Sequence, residues 1–260
     1  LVTRAIESGA IFETDLWRDV VEHGRAGTLQ VGLLSVKGLG AGTRARIVAQ
    51  RCRRPYSGML DFLERVRPAE DETRSLINCG ALDAVNPGDN RAALLWELAC
   101  WLKSKRPKAH TPSLFDHTGP GADCPQPPLP AEDERERLRR EFSVLGFLCD
   151  RHQMELFVDR LRGRRIVKAV DLTRFIGRRI TLAGWLITGK VVSTKGGDPM
   201  EFLTFEDETG IVETTFFPQP YRRFCHIIDR QRPYLLTGKV EEDWGALTLT
   251  VDRVERMMIV

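Results

Sequence analysis

The residues that most directly suggest a chemistry are two glycines separated by one hydrophobic residue, Gly38, Leu39 and Gly40, with Gly42 close behind. Glycine adopts backbone angles closed to other residues and, lacking a Cβ atom, lets an anion approach main-chain N–H groups. Helical patterns flank this turn, so the second helix would direct its positive N-terminal end at the same anion. We expect Leu39 to pack between the two helices. The segment therefore predicts a phosphate-binding hairpin.

Basic side chains surround the predicted turn. Lys37 precedes it, and the second helix carries a run of arginines with no acidic residue among them: Arg44, Arg46, Arg51, Arg53 and Arg54. Such a cationic surface is what binding to a nucleic-acid backbone requires, without any reading of base sequence. We expect Lys37, Arg44, Arg46 and Arg51 to contact phosphates. The alternative is a glycine-rich helix connection with an ordinary solvated basic face.

Aromatic and basic residues in the last third of the chain suggest a second nucleic-acid surface. Those predicted to bind a single strand are Trp185, Lys190, Lys195, Phe202, Phe216, Arg222 and Arg223. Bases stack on aromatic faces, and each stack contributes about 1–3 kcal/mol. Alternation along a strand allows only about half of these rings to face outward, and the others must fill the core. Residues 241–245 are acidic, so we expect modest affinity.

Carboxylates and thiols do not assemble a metal site in this sequence. Residues 206–208 are acidic, but Thr209 and Gly210 follow directly, which indicates a turn between two strands. Cys149 and His152 have ligand spacing, yet no second pair lies near them. The six cysteines form no CxxC pair and are expected to be reduced thiols. No metal or cofactor is therefore predicted in this chain.

The elements that must position these groups fall into two blocks. Residues 28–85 show short amphipathic helical patterns, and residues 90–105 carry a leucine stripe at helical spacing. Residues 106–130 contain seven prolines, which is typical of an extended tether. A charged helix at 131–140 opens a connector. We divide the chain into an unassigned segment, a helical DNA-binding domain, a tether, a helical connector and a barrel domain, at 1–27, 28–105, 106–130, 131–172 and 173–260.

The C-terminal block has the pattern of a small barrel. Strand-forming runs occupy residues 179–187, 201–206, 211–217, 234–240 and 247–254, with a helical pattern at 221–229. Five short strands with a helix before the fourth predict the partly open Greek-key barrel called the OB-fold. In this interpretation Lys190 and Lys195 lie in a long loop after the first strand. The fold class is α+β, with separate domains.

Composition limits the classes of protein. Hydrophobic residues make up 42% and charged residues 29% of the 260, which is ordinary for a globular chain. The net charge of +3 is too small to indicate nucleic-acid binding by itself. No apolar run approaches the roughly 20 residues needed to cross a bilayer. We expect a cytoplasmic protein without a membrane partner.

Taken in order, four stretches resemble the C-terminal half of the alpha subunit of bacterial DNA polymerase III, the C-family replicative polymerase. They are Val36-Lys37-Gly38-Leu39-Gly40, residues 76–83, residues 145–148 with His152, and residues 199–210. The resemblance covers residues 28–257. It implies that a helix-hairpin-helix domain holds duplex DNA behind the active site and that the OB-fold lies near the single-stranded template.

The resemblance also implies a partner for the tether. Members of that family carry a short sliding-clamp motif there, and the corresponding place is occupied here by Thr111, Ser113, Leu114 and Phe115. Leu114 and Phe115 would anchor in an apolar pocket. Thr111 stands where the motif has glutamine, so an incidental apolar pair in a linker is the alternative.

Several departures from the family pattern restrict the function. The catalytic carboxylates are absent, so polymerisation and its Mg²⁺ are expected only in a missing region, and the start at Leu1 suggests a fragment. The end at Val260 resembles the shorter error-prone paralogue. Arg44 stands where many such hairpins have a small residue.

The leading hypothesis is the DNA-binding and clamp-tethering part of a polymerase in replication or error-prone repair, working with the remainder of that enzyme. A freestanding adaptor without polymerase activity is the alternative. An aminoacyl-tRNA synthetase with an OB anticodon-binding domain is a third hypothesis, and the lack of a nucleotide-binding signature such as a P-loop opposes it.

Overall fold

The computed structural model describes residues 31–85, 90–105, 132–230 and 232–258. The chain forms two compact units, Leu1–Cys149 and Asp150–Val260. Their boundary falls inside the predicted connector. Residues before it belong to the helical unit because Val144 and Leu145 are buried in its core, whereas Val167 and Leu172 are buried in the core of the barrel. None of the described helices is long and apolar enough to span a membrane.

The helical unit is built from short helices. They are α1 (Ala41–Arg53), α2 (Met59–Val66), α3 (Glu70–Asn78), α4 (Arg91–Lys105) and α5 (Glu134–Leu145). The predicted helices after the hairpin turn and at residues 90–105 are thus confirmed. Before the turn, the described residues contain only a 3-10 helix, Leu33–Ser35, where the sequence predicted an ordinary helix.

The sequence of α2 shows why these helices form. Met59, Phe62, Leu63 and Val66 recur at helical spacing and are all buried, so one face of the helix is apolar. Each such side chain contributes about 1.5–3 kcal/mol when fully buried. The helix ends at Arg67, whose φ of 50° is left-handed, directly before a proline.

A partly buried ion-pair network fixes the segment at residues 76–83. The Arg91 guanidinium donates to both oxygens of Asp83, at 3.2 and 3.0 Å, and to the carbonyl of Asn78 at 2.8 Å. It also lies 3.9 Å from the buried Glu141 carboxylate. Gly80 has a φ of +78°, and a Cβ there would stand 2.2 Å from Arg91 Nη2. This segment therefore needs both glycine and arginine for packing.

The second unit is a closed five-stranded barrel. Its strands are β1 (Arg179–Ser193), β2 (Pro199–Asp207), β3 (Gly210–Phe216), β4 (Pro233–Asp243) and β5 (Ala246–Arg256). They are ordered β1-β2-β3-β5-β4, with β3 and β5 parallel and the other pairs antiparallel. This confirms the predicted OB-fold.

Short helices complete the barrel unit. Gln153–Phe157, Ala169–Phe175 and Cys225–Ile227 are 3-10 helices, α6 is Val158–Leu161, and α7 is Pro218–Phe224. The helix predicted between the third and fourth strands is present but begins three residues earlier, because a proline is favourable at its first position.

The first strand is longer than its propensity indicated. Its first half pairs with β4 and its second half with β2, and the register shifts between Leu186 and Thr188. A strand that bends at such an irregularity can belong to both sides of a small barrel. Lys190 therefore lies on β1 rather than in a loop, and the connection to β2 is only residues 194–198.

Candidate nucleic-acid interface

The hairpin turn lies at the surface of the helical unit. Gly38, Gly40 and Gly42 are exposed, whereas Leu39 is only 4% exposed and packs in the core, as the sequence predicted. Gly38 has a φ of +80°, a conformation that other residues rarely adopt. Gly40 is the N-cap of α1. The turn is thus presented outward and held by the single apolar side chain at its centre.

The amides of the turn divide into two groups. The Gly40 N–H donates to Glu72 Oε1 at 2.9 Å, so it is already satisfied by a protein carboxylate. Within the described part of the chain, the N–H groups of Gly38, Ala41 and Gly42 have no hydrogen-bond partner. A phosphate-binding site here is therefore smaller than the predicted one and consists of three amides rather than the whole turn.

Glu72 is the residue that sequence analysis missed. Its other oxygen, Oε2, accepts from the Ala69 N–H at 2.9 Å and from Thr43 Oγ1 at 2.8 Å. Burial acts to raise the pKa of Glu72, but hydrogen bonds from Ala69, Gly40 and Thr43 outweigh it and lower the pKa below its usual value. Its position three residues after Ala69 indicated a local helix cap. The contact with Gly40 could not be read from spacing.

Two of the predicted phosphate-binding arginines serve the fold. Arg46 donates through Nε to the Val66 carbonyl at 2.8 Å and through Nη2 to Thr43 Oγ1 at 2.9 Å. Arg44 donates through Nη1 to the Leu39 carbonyl at 2.9 Å. Sequence analysis predicted that both side chains contact phosphates, whereas these hydrogen bonds direct them to carbonyl and hydroxyl groups of the protein itself.

The other two predicted cations differ in exposure. Lys37 is exposed, and its ammonium donates a long bond of 3.4 Å to the Ser143 carbonyl. Arg51 is partly buried, and burial lowers its pKa. Of these two cations, Lys37 is therefore the more exposed for interaction with a phosphate.

On the barrel, two predicted stacking residues are buried, and their assignment is corrected. Trp185 is 6% exposed, and its ring lies 6.4 Å from that of Phe157 in the preceding 3-10 helix. Phe216 is fully buried in the barrel core. Neither ring is available to stack with a base, because strand alternation directs Phe216 into the core and Trp185 packs against the 3-10 helix that carries Phe157.

An exposed aromatic surface nevertheless remains on the outer face. Phe202 on β2 is 42% exposed and lies opposite Lys190 on β1. β3 ends at Phe216, which pairs with Glu201, the neighbour of Phe202. Phe217 follows directly, and its ring is 46% exposed. We call Lys190, Phe202 and Phe217 the barrel platform. Phe217 was not among the predicted contacts.

The remaining predicted cations lie near the connection that ends at β2 and on the helix that follows β3. Lys195 is exposed between β1 and β2, and Arg222 of α7 forms an ion pair with Asp198 of the same connection. Arg223 is exposed, with its guanidinium 5.2 Å from the Phe224 ring. This part of the barrel unit is cationic, although Arg222 is partly neutralised.

The turn between β4 and β5 has the opposite character. Trp244 is 100% exposed and has a φ of 53°, and Gly245 follows with a φ of 83°. Such two-residue turns favour asparagine or glycine at the first position. Glu242 and Asp243 beside it are exposed. The acidic loop predicted to weaken DNA binding is therefore a hairpin tip that also carries an unprotected indole.

Two further predictions concern the clamp motif of the tether and the acidic residues at the end of β2. Thr111, Ser113, Leu114 and Phe115 lie outside the described residues. Asp207 is buried and accepts from Thr209 N at 2.7 Å, Gly210 N at 3.1 Å and Ala169 N at 2.8 Å, as expected of a residue that stabilises a turn. Among the described residues, no group of three or more His, Cys, Asp or Glu could hold a metal ion.

Comparison with known families identifies both units. Residues 6–94 match the family described as a helix-hairpin-helix motif, and residues 180–257 match an OB-fold nucleic acid binding domain. The first match includes most of the segment left unassigned by sequence analysis. Among solved structures, the SSB domain of a Synechococcus protein aligns with 30% of this chain and 93% of its own, at 11% identity and a TM-score of 0.28.

Curated relatives extend over both units. An error-prone DNA polymerase of Symbiobacterium thermophilum is 28% identical over 87% of this chain, and one of an Anaeromyxobacter species is 30% identical over 89%. A DNA polymerase III subunit alpha of Xylella fastidiosa is 28% identical over 92%. The chain spans only 19–23% of the length of these proteins. It thus contains a helix-hairpin-helix region and an OB-fold domain, and it is a relative of the C-terminal region of bacterial error-prone DNA polymerases and DNA polymerase III alpha subunits.

Proposed function

We propose that this chain binds DNA for a C-family DNA polymerase whose catalytic residues lie elsewhere, gripping the duplex backbone at the hairpin and single-stranded DNA at the barrel platform. The observation that carries the proposal is the exposed turn at the start of α1, where the amides of Gly38, Ala41 and Gly42 lack partners among the described residues. The names of the relatives support the polymerase context.

At the hairpin, recognition would use the main chain. Three amides and the positive end of a 13-residue helix favour an anion, and a helix end alone contributes about 0.3–1 kcal/mol. Lys37 would add a screened attraction and release a counterion from the DNA. None of these groups distinguishes one base from another, so the hairpin would hold duplex DNA of any sequence.

At the barrel, recognition would use rings. Phe202 is exposed opposite Lys190, and Phe217 is exposed directly after β3, so each ring could stack with a base. Stacking contributes about 1–3 kcal/mol per base and tolerates any sequence. The acidic tip at Glu242 and Asp243 would repel phosphates that approach that part of the barrel. We therefore expect a short single-stranded site of modest affinity.

Titration of the full chain with duplex and single-stranded oligonucleotides at two salt concentrations tests this proposal. Both affinities should fall as salt rises, because backbone contacts release counterions. Substitution of Phe202 and Phe217 by alanine should weaken single-strand binding and leave duplex binding intact. Affinities that do not depend on salt, or that change equally for both DNAs in this variant, would contradict the two-surface assignment.

We further propose that residues 111–115 tether the polymerase to a sliding clamp during replication or error-prone repair synthesis. Replacing Leu114 and Phe115 by alanine should abolish association with the clamp of the same bacterium while DNA binding persists. Leu129→Ala, another apolar truncation in the proline-rich segment, is the matched control. Clamp affinity that survives loss of Leu114 and Phe115 would reject this role.

A further inference from the structure

Three helix ends of the helical unit meet in one chain of hydrogen bonds, which we call the Glu72 network: Glu72, Thr43 and Arg46. Glu72 receives the N–H groups that precede α1 and α3, at Gly40 and Ala69. Thr43 donates to Glu72, and Arg46 donates to both Thr43 and the Val66 carbonyl at the end of α2. One carboxylate therefore links the hairpin to the two helices that follow it.

The way this network caps α1 leaves the phosphate-facing amides open. An ordinary N-cap side chain accepts from the second or third amide of its helix, which are donors that an anion would use. Gly40 has no side chain, and of the amides at the start of α1 Glu72 accepts that of the cap residue Gly40. The next two amides, of Ala41 and Gly42, stay without partners among the described residues.

The network also restrains the direction of those amides. Gly40 lies between the buried Leu39 and the first turn of α1, so its peptide plane is held by the Leu39 side chain on one side and by Glu72 on the other. A glycine turn without such a restraint would sample several backbone conformations. Against the burial that raises the pKa of Glu72, the nearby charge of Arg46 adds to the hydrogen bonds that lower it.

We propose that Glu72 is the positioning residue of the DNA-binding hairpin: it holds the Gly40 peptide so that the Gly38, Ala41 and Gly42 amides are aligned for a DNA phosphate before DNA arrives. This inference rests on the proposed function of the hairpin. It assigns Arg46 to the support of Glu72 rather than to the phosphate. It also explains why an acidic residue lies beside a turn that is otherwise basic.

A double-mutant cycle on the full chain tests the proposal, with duplex affinity as the readout. Glu72→Ala should weaken binding about tenfold, the size expected from the loss of one charge-assisted hydrogen bond. Gly42→Val should also weaken it, because the side chain covers the approach to the amides. The site tolerates a Cβ, which would meet Arg46 Nη1 at an ordinary 3.6 Å. In the Gly42→Val background, Glu72→Ala should change affinity by less than about twofold.

Two further variants keep the cycle interpretable. Glu72→Gln retains an acceptor oxygen for Gly40 and should bind within about threefold of the unchanged chain, and it replaces Glu72→Ala in the cycle if the alanine variant does not fold. Glu70 lies on the same helix as Glu72, and its exposed carboxylate pairs with Arg74 rather than with the hairpin. Glu70→Ala should therefore leave the duplex affinity unchanged.

The outcomes separate the inference from the function on which it rests. If the effect of Glu72→Ala is equally large with and without Gly42→Val, or if Glu72→Ala binds duplex as tightly as the unchanged chain, Glu72 does not position the turn and the inference is overturned. If Gly42→Val alone leaves duplex affinity unchanged, the hairpin is not the DNA site, and it is the proposed function that fails.

Discussion

The hairpin presents main-chain amides, whereas the barrel platform presents side-chain rings. The two surfaces therefore differ in the structural features on which binding depends. At the hairpin, Gly38 needs its left-handed backbone, and the N–H of Gly40 needs an acceptor from another part of the chain. At the barrel, Phe202 needs only to fall on the outward side of β2. A main-chain site therefore depends on the helices around it, and a side-chain site depends on strand register.

The comparison extends to how the two units are stabilised. The helical unit contains an ion-pair network in which Arg91 and Glu141 are buried and Asp83 is partly exposed, while the core of the barrel is dominated by apolar residues such as Phe205 and Leu236. A buried charge is costly once its partner is removed, whereas a truncated ring leaves a cavity. Substitutions can therefore damage one surface and spare the other.

The largest expected effect is a loss of stability that is confined to the helical unit. Arg91→Ala leaves the buried Glu141 carboxylate without its ion-pair partner, and should lower the free energy of unfolding by about 3–5 kcal/mol. Hydrogen exchange of backbone amides, resolved by residue, should show faster opening in helices α1 to α5 and unchanged protection in the barrel strands. Arg74→Ala, which removes an exposed ion pair with Glu70, is the control and should cost little.

A pair of phenylalanine variants sharpens the assignment of the barrel rings. Phe216→Ala should destabilise the barrel by about 3–5 kcal/mol, because that ring is buried. Phe202→Ala should instead weaken single-strand binding by about 1–3 kcal/mol with little change in unfolding. Urea denaturation and oligonucleotide titration of both variants check this. A similar loss of stability in the two would contradict their opposite orientations.

Gly38→Ala tests whether the hairpin depends on its backbone. Among the described residues the added methyl group meets only Ser75 Oγ, at 3.8 Å, so the cost is conformational, about 1–2 kcal/mol for a left-handed residue. Duplex affinity should fall while single-strand affinity is retained. Gly163→Ala carries a similar strain in the barrel unit, at a φ of +76° with open space around it, and should leave duplex binding unchanged.

A smaller effect is expected from the exposed cation beside the turn. Lys37→Ala should reduce by about one the slope of log affinity for duplex DNA against log salt, since one phosphate contact is lost. Lys103→Ala removes an exposed lysine from the last turn of α4 and should not alter the slope. Equal slopes for all three proteins would exclude Lys37 from the interface.

The smallest predicted effect is a dependence of stability on pH. The pKa of Glu72 is lowered in the folded chain, so its contribution is fully present above the unfolded carboxyl pKa of about 4.3 and is lost as pH falls through the folded value. The difference in thermal stability between the unchanged chain and Glu72→Gln should therefore narrow on acidification below about pH 4. A constant difference would show that the Glu72 charge does not stabilise the hairpin.

Local chemistry determined much of this protein in advance. The glycine turn, the apolar spacing of α4 and the five strand-forming runs identified both folds, because backbone preference and hydrophobic period are properties of short segments. The burial of Leu39 was predicted from the same pattern, because an apolar residue between two helices can pack in the space that they enclose.

Only the tertiary structure decided which groups are available for binding. Trp185 and Phe216 are buried, Lys190 lies on a strand that bends between two partners, and Phe217 reaches the surface. Glu72 meets Gly40 from 32 positions away. Strand orientation and contacts between helices arise when segments pack against one another, and the spacing of residues within a segment carries no information about that packing.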